Sequence, residues 1–185
     1  MNTKTLIELI HQGQKRMTGE PYTTHLYAVR DILRNEGITD KNTLYAALLH
    51  DAMEDNENIT KKYLAMYFGE KIAQIVEVVS KKRAWLTSYC RTKGHIDEIE
   101  FSWRAHPEAV LIKMADRLHN LQTLHGLPLE KQIRKLKESK EYLMPLFQKF
   151  HQENHFKDIG KYTKSLLEKL EMEIENNDQR LFLFL

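Results

Sequence analysis

Apolar residues recur along this chain at three- and four-residue intervals, segment after segment, while strict polar/apolar alternation is nearly absent. That spacing lines one face of an α-helix, so it predicts helices over about 3–16, 22–35, 40–55, 60–67, 69–82, 95–104, 107–124, 129–152 and 157–178. Breakers mark several of the divisions. Gly19-Glu20-Pro21 separates the first helix from the second, Gly37 closes the second, and Pro107 stands where a helix start tolerates its missing N–H. Pro145 falls inside a helical pattern and is expected to kink it. The stretch 80–95, SKKRAWLTSYCRTKGH, has weak periodicity and several cations, and reads as a long connection or mobile loop. The expectation is an all-α, compact helical fold.

On three of these helices the apolar stripe turns polar. Leu44, Ala47 and Leu48 form an inward face that continues at i+3 and i+4 through His50, Asp51, Glu54 and Asp55. His25 keeps register with Val29 and Ile32, and Ala109 and Ile112 lead to Asp116 and Asn120. Carboxylates on a buried face must meet a cation, lie at a wet cleft or take up protons. Two imidazoles and two carboxylates, His25, His50, Asp51 and Asp116, make an N/O donor set suited to Mn²⁺, Fe²⁺ or Zn²⁺, with coordination positions left for water. A lone helical histidine is more often a hydrogen-bonded structural residue, and His119 is read that way.

Composition narrows the setting. The chain has 185 residues, enough for one self-sufficient domain over 1–185, so a metal here need not be structural. Lys and Arg total 28 against 26 Asp and Glu, a net +2 that steers the chain to neither nucleic acid nor anionic lipid. The single cysteine, Cys90, cannot form an internal disulfide and points to a reducing, cytoplasmic compartment. No apolar run approaches the roughly 18 residues a membrane span needs, and MNTKTLIELIHQGQ reads as an amphipathic helix rather than a signal peptide. The apolar C-terminal LFLFL either docks on its own core, the favoured reading, or meets a partner chain in a homo-oligomer.

Three stretches carry a resemblance: GQKRMTGEPYTTH (13–25), ALLHDAMED (47–55) and IKMADRLHNLQTL (112–124). In this order, with FGEKIAQIVEVVSK (68–81) between the last two, they resemble the HD-domain hydrolases of the RelA/SpoT type, over roughly residues 8 to 125. Those enzymes remove pyrophosphate from the alarmone ppGpp. Full-length members carry synthetase and regulatory domains after the hydrolase, so the expectation is a stand-alone small alarmone hydrolase, with residues 126–185 as closing helices.

The resemblance implies one Mn²⁺ held by His25, His50, Asp51 and Asp116. It implies Glu54 as the proton-handling acid and Asp55 as the residue that positions water and metal. The reaction would be attack of water on the 3′-side phosphorus next to ribose, releasing pyrophosphate and leaving GDP or GTP. Arg16 is the first choice for gripping phosphate, since its fork binds bidentately; Lys15 and Lys81 are weaker candidates. Asn120 and Thr123 match positions near the nucleotide and are read as substrate contacts, the alternative being that Asn120 caps or cross-links helices and Thr123 bonds within its own helix. Tyr22 is read as structural. Lys131, Arg134, Lys135, Lys137 and Lys140 are read as a solvated helix face.

The chain departs from the family pattern at Met17 and Gln122, where cations are common, and at Leu26, where proline often follows the histidine. Two phosphate partners are therefore missing. The alternatives are another HD-family nucleotide phosphohydrolase, including one for ppApp-type substrates, and a catalytically silent nucleotide-binding protein.

Overall fold

Helix α8 (Pro107–Gln122) is buried without interruption from Ala109 to Leu118, so it forms the axis around which the other helices gather. A helix enclosed on every side needs apolar residues around most of its circumference, and α8 has them except at Lys113, Asp116 and Arg117. The computed structural model describes residues 3–81, 88–155 and 157–183. Its helices are α1 (Thr3–Ile10), α2 (Thr23–Asn35), α3 (Lys41–Leu49), α4 (Ala52–Asp55), α5 (Lys61–Phe68), α6 (Glu70–Val79), α7 (Ser88–Ser102), α8, α9 (Leu129–Glu138), α10 (Met144–Asn154) and α11 (Asp158–Phe182). The all-α expectation holds: among the described residues the sole extended pairing is an isolated bridge between Lys15 and Pro21. No described helix is long and apolar enough to cross a membrane.

Helix α3 packs against both α2 and α6, and all three pack on α8, with Leu26, Val29, Leu33, Ala46, Ala47, Leu49, Ile75 and Val76 buried in the core. Helix α11 lies along α8 and buries Leu166, Leu167, Leu170 and Leu181. Burying a Leu or Phe side chain contributes about 1.5–3 kcal/mol, so this apolar frame can carry a polar centre in its midst.

Several boundaries differ from the periodic pattern, each for a local reason. The first helix stops at Ile10 rather than 16, because Gly13 takes φ 74° and the chain turns back to bridge Lys15 with Pro21. The segment predicted as one helix over 40–55 breaks at His50-Asp51 into α3 and α4. The His50 ring takes the Ala47 carbonyl at 2.7 Å, the acceptor that the Asp51 amide would use in a continuous helix. Residues 88–94, read as part of a loop, belong to α7, while 82–87 lie outside the described residues. Before Pro145 the chain forms a π-helical turn over Ser139–Leu143, and the proline then sits in the first turn of α10, where its missing N–H costs little. In the apolar tail Leu181 is buried on the core, Phe182 and Leu183 are exposed at 79% and 82%, and residues 184–185 lie outside the described residues.

Candidate metal centre

Three elements of this frame deliver polar groups to one buried spot. His25 comes from the first turn of α2, His50 and Asp51 from the break between α3 and α4, and Asp116 from the middle of α8. The ligand atoms of His25, His50 and Asp116 lie within 4.8 Å of one another, and all three residues are buried. Asp51 Oδ2 adds a fourth donor, 3.1 Å from His50 Nε2 and 3.7 Å from His25 Nε2. Asp116 Oδ1 lies 3.2 Å from His25 Nε2 and 3.8 Å from His50 Nε2. The four residues named from the sequence therefore converge.

Each donor is aimed by a second contact. His50 Nδ1 donates to the Ala47 carbonyl, which turns Nε2 toward the carboxylates; that buried atom makes no well-aligned hydrogen bond and has the Asp51 carboxylate 3.1 Å away as an ion-pair neighbour. His25 Nδ1 meets His119 Nδ1 at 2.8 Å, so Nε2 faces the carboxylates. Lys113 Nζ lies 3.0 Å from Asp116 Oδ2, and the Asn120 amide donates to Oδ1 at 2.6 Å. Tyr22 donates to Asp51 Oδ2 at 2.5 Å. Partners of this kind orient metal ligands and set their basicity.

The electrostatics favour a positive charge here. Burial opposes a charged His50, yet the carboxylates of Asp51 and Asp116 outweigh it and raise the imidazole to about 9. Burial likewise opposes the ionised Asp116, and Lys113 with the two histidines holds it well below the ordinary carboxylate range. Burial and the Asp51 charge push the Tyr22 hydroxyl upward, so it stays a donor. Two buried imidazoles turned toward two carboxylates make a donor set that fits a divalent cation.

The two hydrolytic candidates diverge. Glu54 Oε1 accepts from the Lys81 backbone N–H at 2.7 Å, and burial raises its carboxyl while Lys113 opposes the rise. Asp55 turns to the chain after α1, where Gln14 Nε2 donates to Oδ2 at 3.1 Å and His11 Nδ1 lies 3.3 Å from the same oxygen.

Arg16, Asn120 and Thr123 also converge: Arg16 Nη2 donates to Thr123 Oγ1 at 2.8 Å and to Asn120 Oδ1 at 3.4 Å. Together with Met17, Arg117 and Lys135 they line a cavity of about 90 Å³. Thr123 also bonds the His119 carbonyl within its own turn, so both readings of that residue hold at once. Lys15 is exposed and lies outside that lining. Lys81 Nζ sits 3.8 Å from Glu138 Oε1, and burial with the Lys113 charge lowers it to about 8. Lys131, Arg134, Lys137 and Lys140 are exposed as expected; Lys135 is half-buried, 3.7 Å from Glu138. His11, Gln14, Tyr22, Lys113 and His119 were not singled out for the site. Lys113 alone carried a signal, as a cation three residues before Asp116 on an otherwise apolar face.

A family model for the HD domain matches residues 4–150. This chain belongs to the HD-domain family. The His50-Asp51 pair at the α3–α4 break lies within the matched span. A Mycobacterium leprae protein named a probable GTP pyrophosphokinase is 39% identical over 136 residues, covering 74% of this HD chain and 17% of that protein. The Haemophilus influenzae guanosine-3′,5′-bis(diphosphate) 3′-pyrophosphohydrolase is 36% identical over 155 residues, covering 81% of this chain and 23% of its own length. The chain thus spans less than a quarter of the length of these curated relatives. A solved structure of a metazoan orthologue of SpoT, described as hydrolysing ppGpp, matches with a TM-score of 0.76 at 26% identity, over 94% of this chain and 92% of that one.

Proposed function

We propose that residues 1–185 form one HD-type phosphohydrolase unit that removes the 3′-pyrophosphate of ppGpp or pppGpp, releasing pyrophosphate and leaving GDP or GTP. The observation that carries this reading is the convergence of His25, His50, Asp51 and Asp116, with His50 Nε2 buried and turned toward both carboxylates. Relatives named 3′-pyrophosphohydrolases and the ppGpp-hydrolysing metazoan structure supply the substrate class. The single cysteine and a nucleotide substrate favour a cytoplasmic setting.

In this reading the four residues hold one divalent ion, with Mn²⁺ as the proposed metal. When bound, such an ion acts as a Lewis acid on a phosphoryl oxygen and makes water a stronger acid. Glu54, whose carboxyl is raised by burial, accepts the proton of the attacking water and returns it to the departing ribose 3′-oxygen. Asp55 orients that water. Arg16 grips a phosphate with its fork, backed by Asn120 and Thr123, while Lys15 and Lys81 add positive charge at longer range.

The test is release of pyrophosphate from ppGpp by the Mn²⁺-loaded protein, compared with Glu54→Gln. Turnover that falls about 10²–10⁴-fold in the variant, the usual weight of a general acid–base group, supports the reading. Intact ppGpp alongside cleavage of a nucleoside monophosphate would overturn the substrate assignment.

A further inference from the structure

Helix α4 spans four residues, Ala52–Asp55, yet it carries both hydrolytic acids. A single helical turn does not hold its own shape, because nucleation costs more than one hydrogen bond returns. Its carboxylates must be fixed from outside. For Asp55 the fixing groups come from the end of α1 and the turn after it.

His11 sits one residue past α1 with its side chain fully buried. Its backbone N–H continues the helix to the Ile7 carbonyl at 3.1 Å, and Leu6 and Ile7 anchor that helix in the core. Gly13 then reverses the chain at φ 74°, and the Gln14 carbonyl accepts from the Tyr22 amide at 3.0 Å. His11, Gln14 and Tyr22 are thereby laced into one unit. His11 Nδ1 lies 2.7 Å from Gln14 Oε1 and 3.3 Å from Asp55 Oδ2. Two acceptors at one nitrogen place the proton on Nδ1. The imidazole also stacks on Tyr22, centroids 4.9 Å apart at 25°, and Tyr22 donates to Asp51. One ring therefore touches the mount of Asp55 on one side and the mount of a metal-centre carboxylate on the other.

The other ring nitrogen argues against simple packing. His11 Nε2 is buried without a hydrogen-bond partner. An unsatisfied buried nitrogen is unfavourable, and a phenylalanine would fill the same stack without it. The polar ring is explained by what Nδ1 does.

We propose that His11 is a positioning residue for the hydrolytic acid Asp55, acting through its Nδ1–H and through the Tyr22 stack. This rests on the phosphohydrolase reading above. It adds α1 to the catalytic apparatus and makes the rate depend on a residue that never meets the substrate.

The experiment compares wild type, His11→Phe and His11→Asn for ppGpp hydrolysis, Mn²⁺ stoichiometry and thermal stability. His11→Phe keeps the stack and loses the donor: kcat is expected to fall about tenfold to a hundredfold, the range for an outer partner of an active-site group, with KM and stoichiometry unchanged. Its melting temperature should equal or exceed that of wild type. His11→Asn places an amide N–H near the Nδ1 position and gives up the ring: it should melt lower yet turn over faster than His11→Phe. A structural role predicts the opposite order, with activity following stability, and that order, or full activity in His11→Phe, overturns the proposal. Ring ¹⁵N shifts of metal-free wild type provide an arm independent of catalysis. A protonated Nδ1 supports the assignment, and the Nε2–H tautomer contradicts it. If wild type leaves ppGpp intact while Nδ1 is protonated, the substrate reading fails and the geometric inference stands.

Discussion

The candidate metal centre and the proposed hydrolytic acids Glu54 and Asp55 adjoin one another but are built differently. The centre draws its donors from α2, the α3–α4 break and α8, elements that pack directly together, and three of its four donors are buried. Glu54 and Asp55 ride on a four-residue helix and are pinned by groups from the turn after α1 and from the second residue past α6: Gln14 and His11 for Asp55, the Lys81 amide for Glu54. Substitution in the first region should therefore damage the fold as well as the chemistry. Substitution in the second should change rate and leave stability nearly intact.

The largest effect is expected for Asp116→Ala. It removes the partner of Lys113, which is itself only 4% exposed, and breaking a buried ion pair from one side costs about 3–5 kcal/mol. Urea unfolding measures this, and an unchanged midpoint would erase the contrast between the regions. Asp55→Asn, in the second region, should lower kcat while its unfolding midpoint stays within about 0.5 kcal/mol of wild type, as for exposed positions generally.

Tyr22→Phe lies on the boundary. It deletes the hydroxyl that aims Asp51 but keeps the ring against His11. Divalent-metal affinity should weaken by about 10- to 100-fold, as for loss of an outer partner of a ligand, and calorimetric titration measures it. Unaltered affinity would mean that Asp51 needs no such aiming.

The mildest effect is silent at neutral pH. Burial opposes the ionised Glu138, but Arg117, Lys135 and Lys81 win and hold its carboxyl at about 2, below its ordinary value. A depressed carboxylate stabilises the fold fully above its unfolded pKa and loses that contribution as pH falls through the folded one. Stability should thus decline between about pH 4.5 and pH 2. A flat profile over that window would show that the Arg117–Glu138 contact at 3.1 Å adds nothing net.

The same contrast explains what was legible in the sequence. His25, His50, Asp51 and Asp116 could be named because each interrupts an apolar stripe on a helix whose inward face is readable from spacing. The all-helical architecture was legible for the same reason. The break at His50-Asp51 was not, since it depends on a side chain capturing a carbonyl within its own helix. Nor were the bracing partners: Arg16 and Thr123 meet across 107 positions, and Gln14 reaches Asp55 across 41. Periodicity reports which face is buried, and it does not report which distant polar group arrives there. Tyr22, read as structural, donates to Asp51, and Lys135, read as solvated, lines the Arg16 cavity.

The central claim is that four residues from three elements hold one divalent cation. Titration of metal-free protein with Mn²⁺, following the paramagnetic resonance of the free ion, tests it most directly. One Mn²⁺ per chain bound by wild type and lost in both His50→Ala and Asp116→Asn is the expected result. No uptake by wild type, or uptake that survives both substitutions, would contradict it.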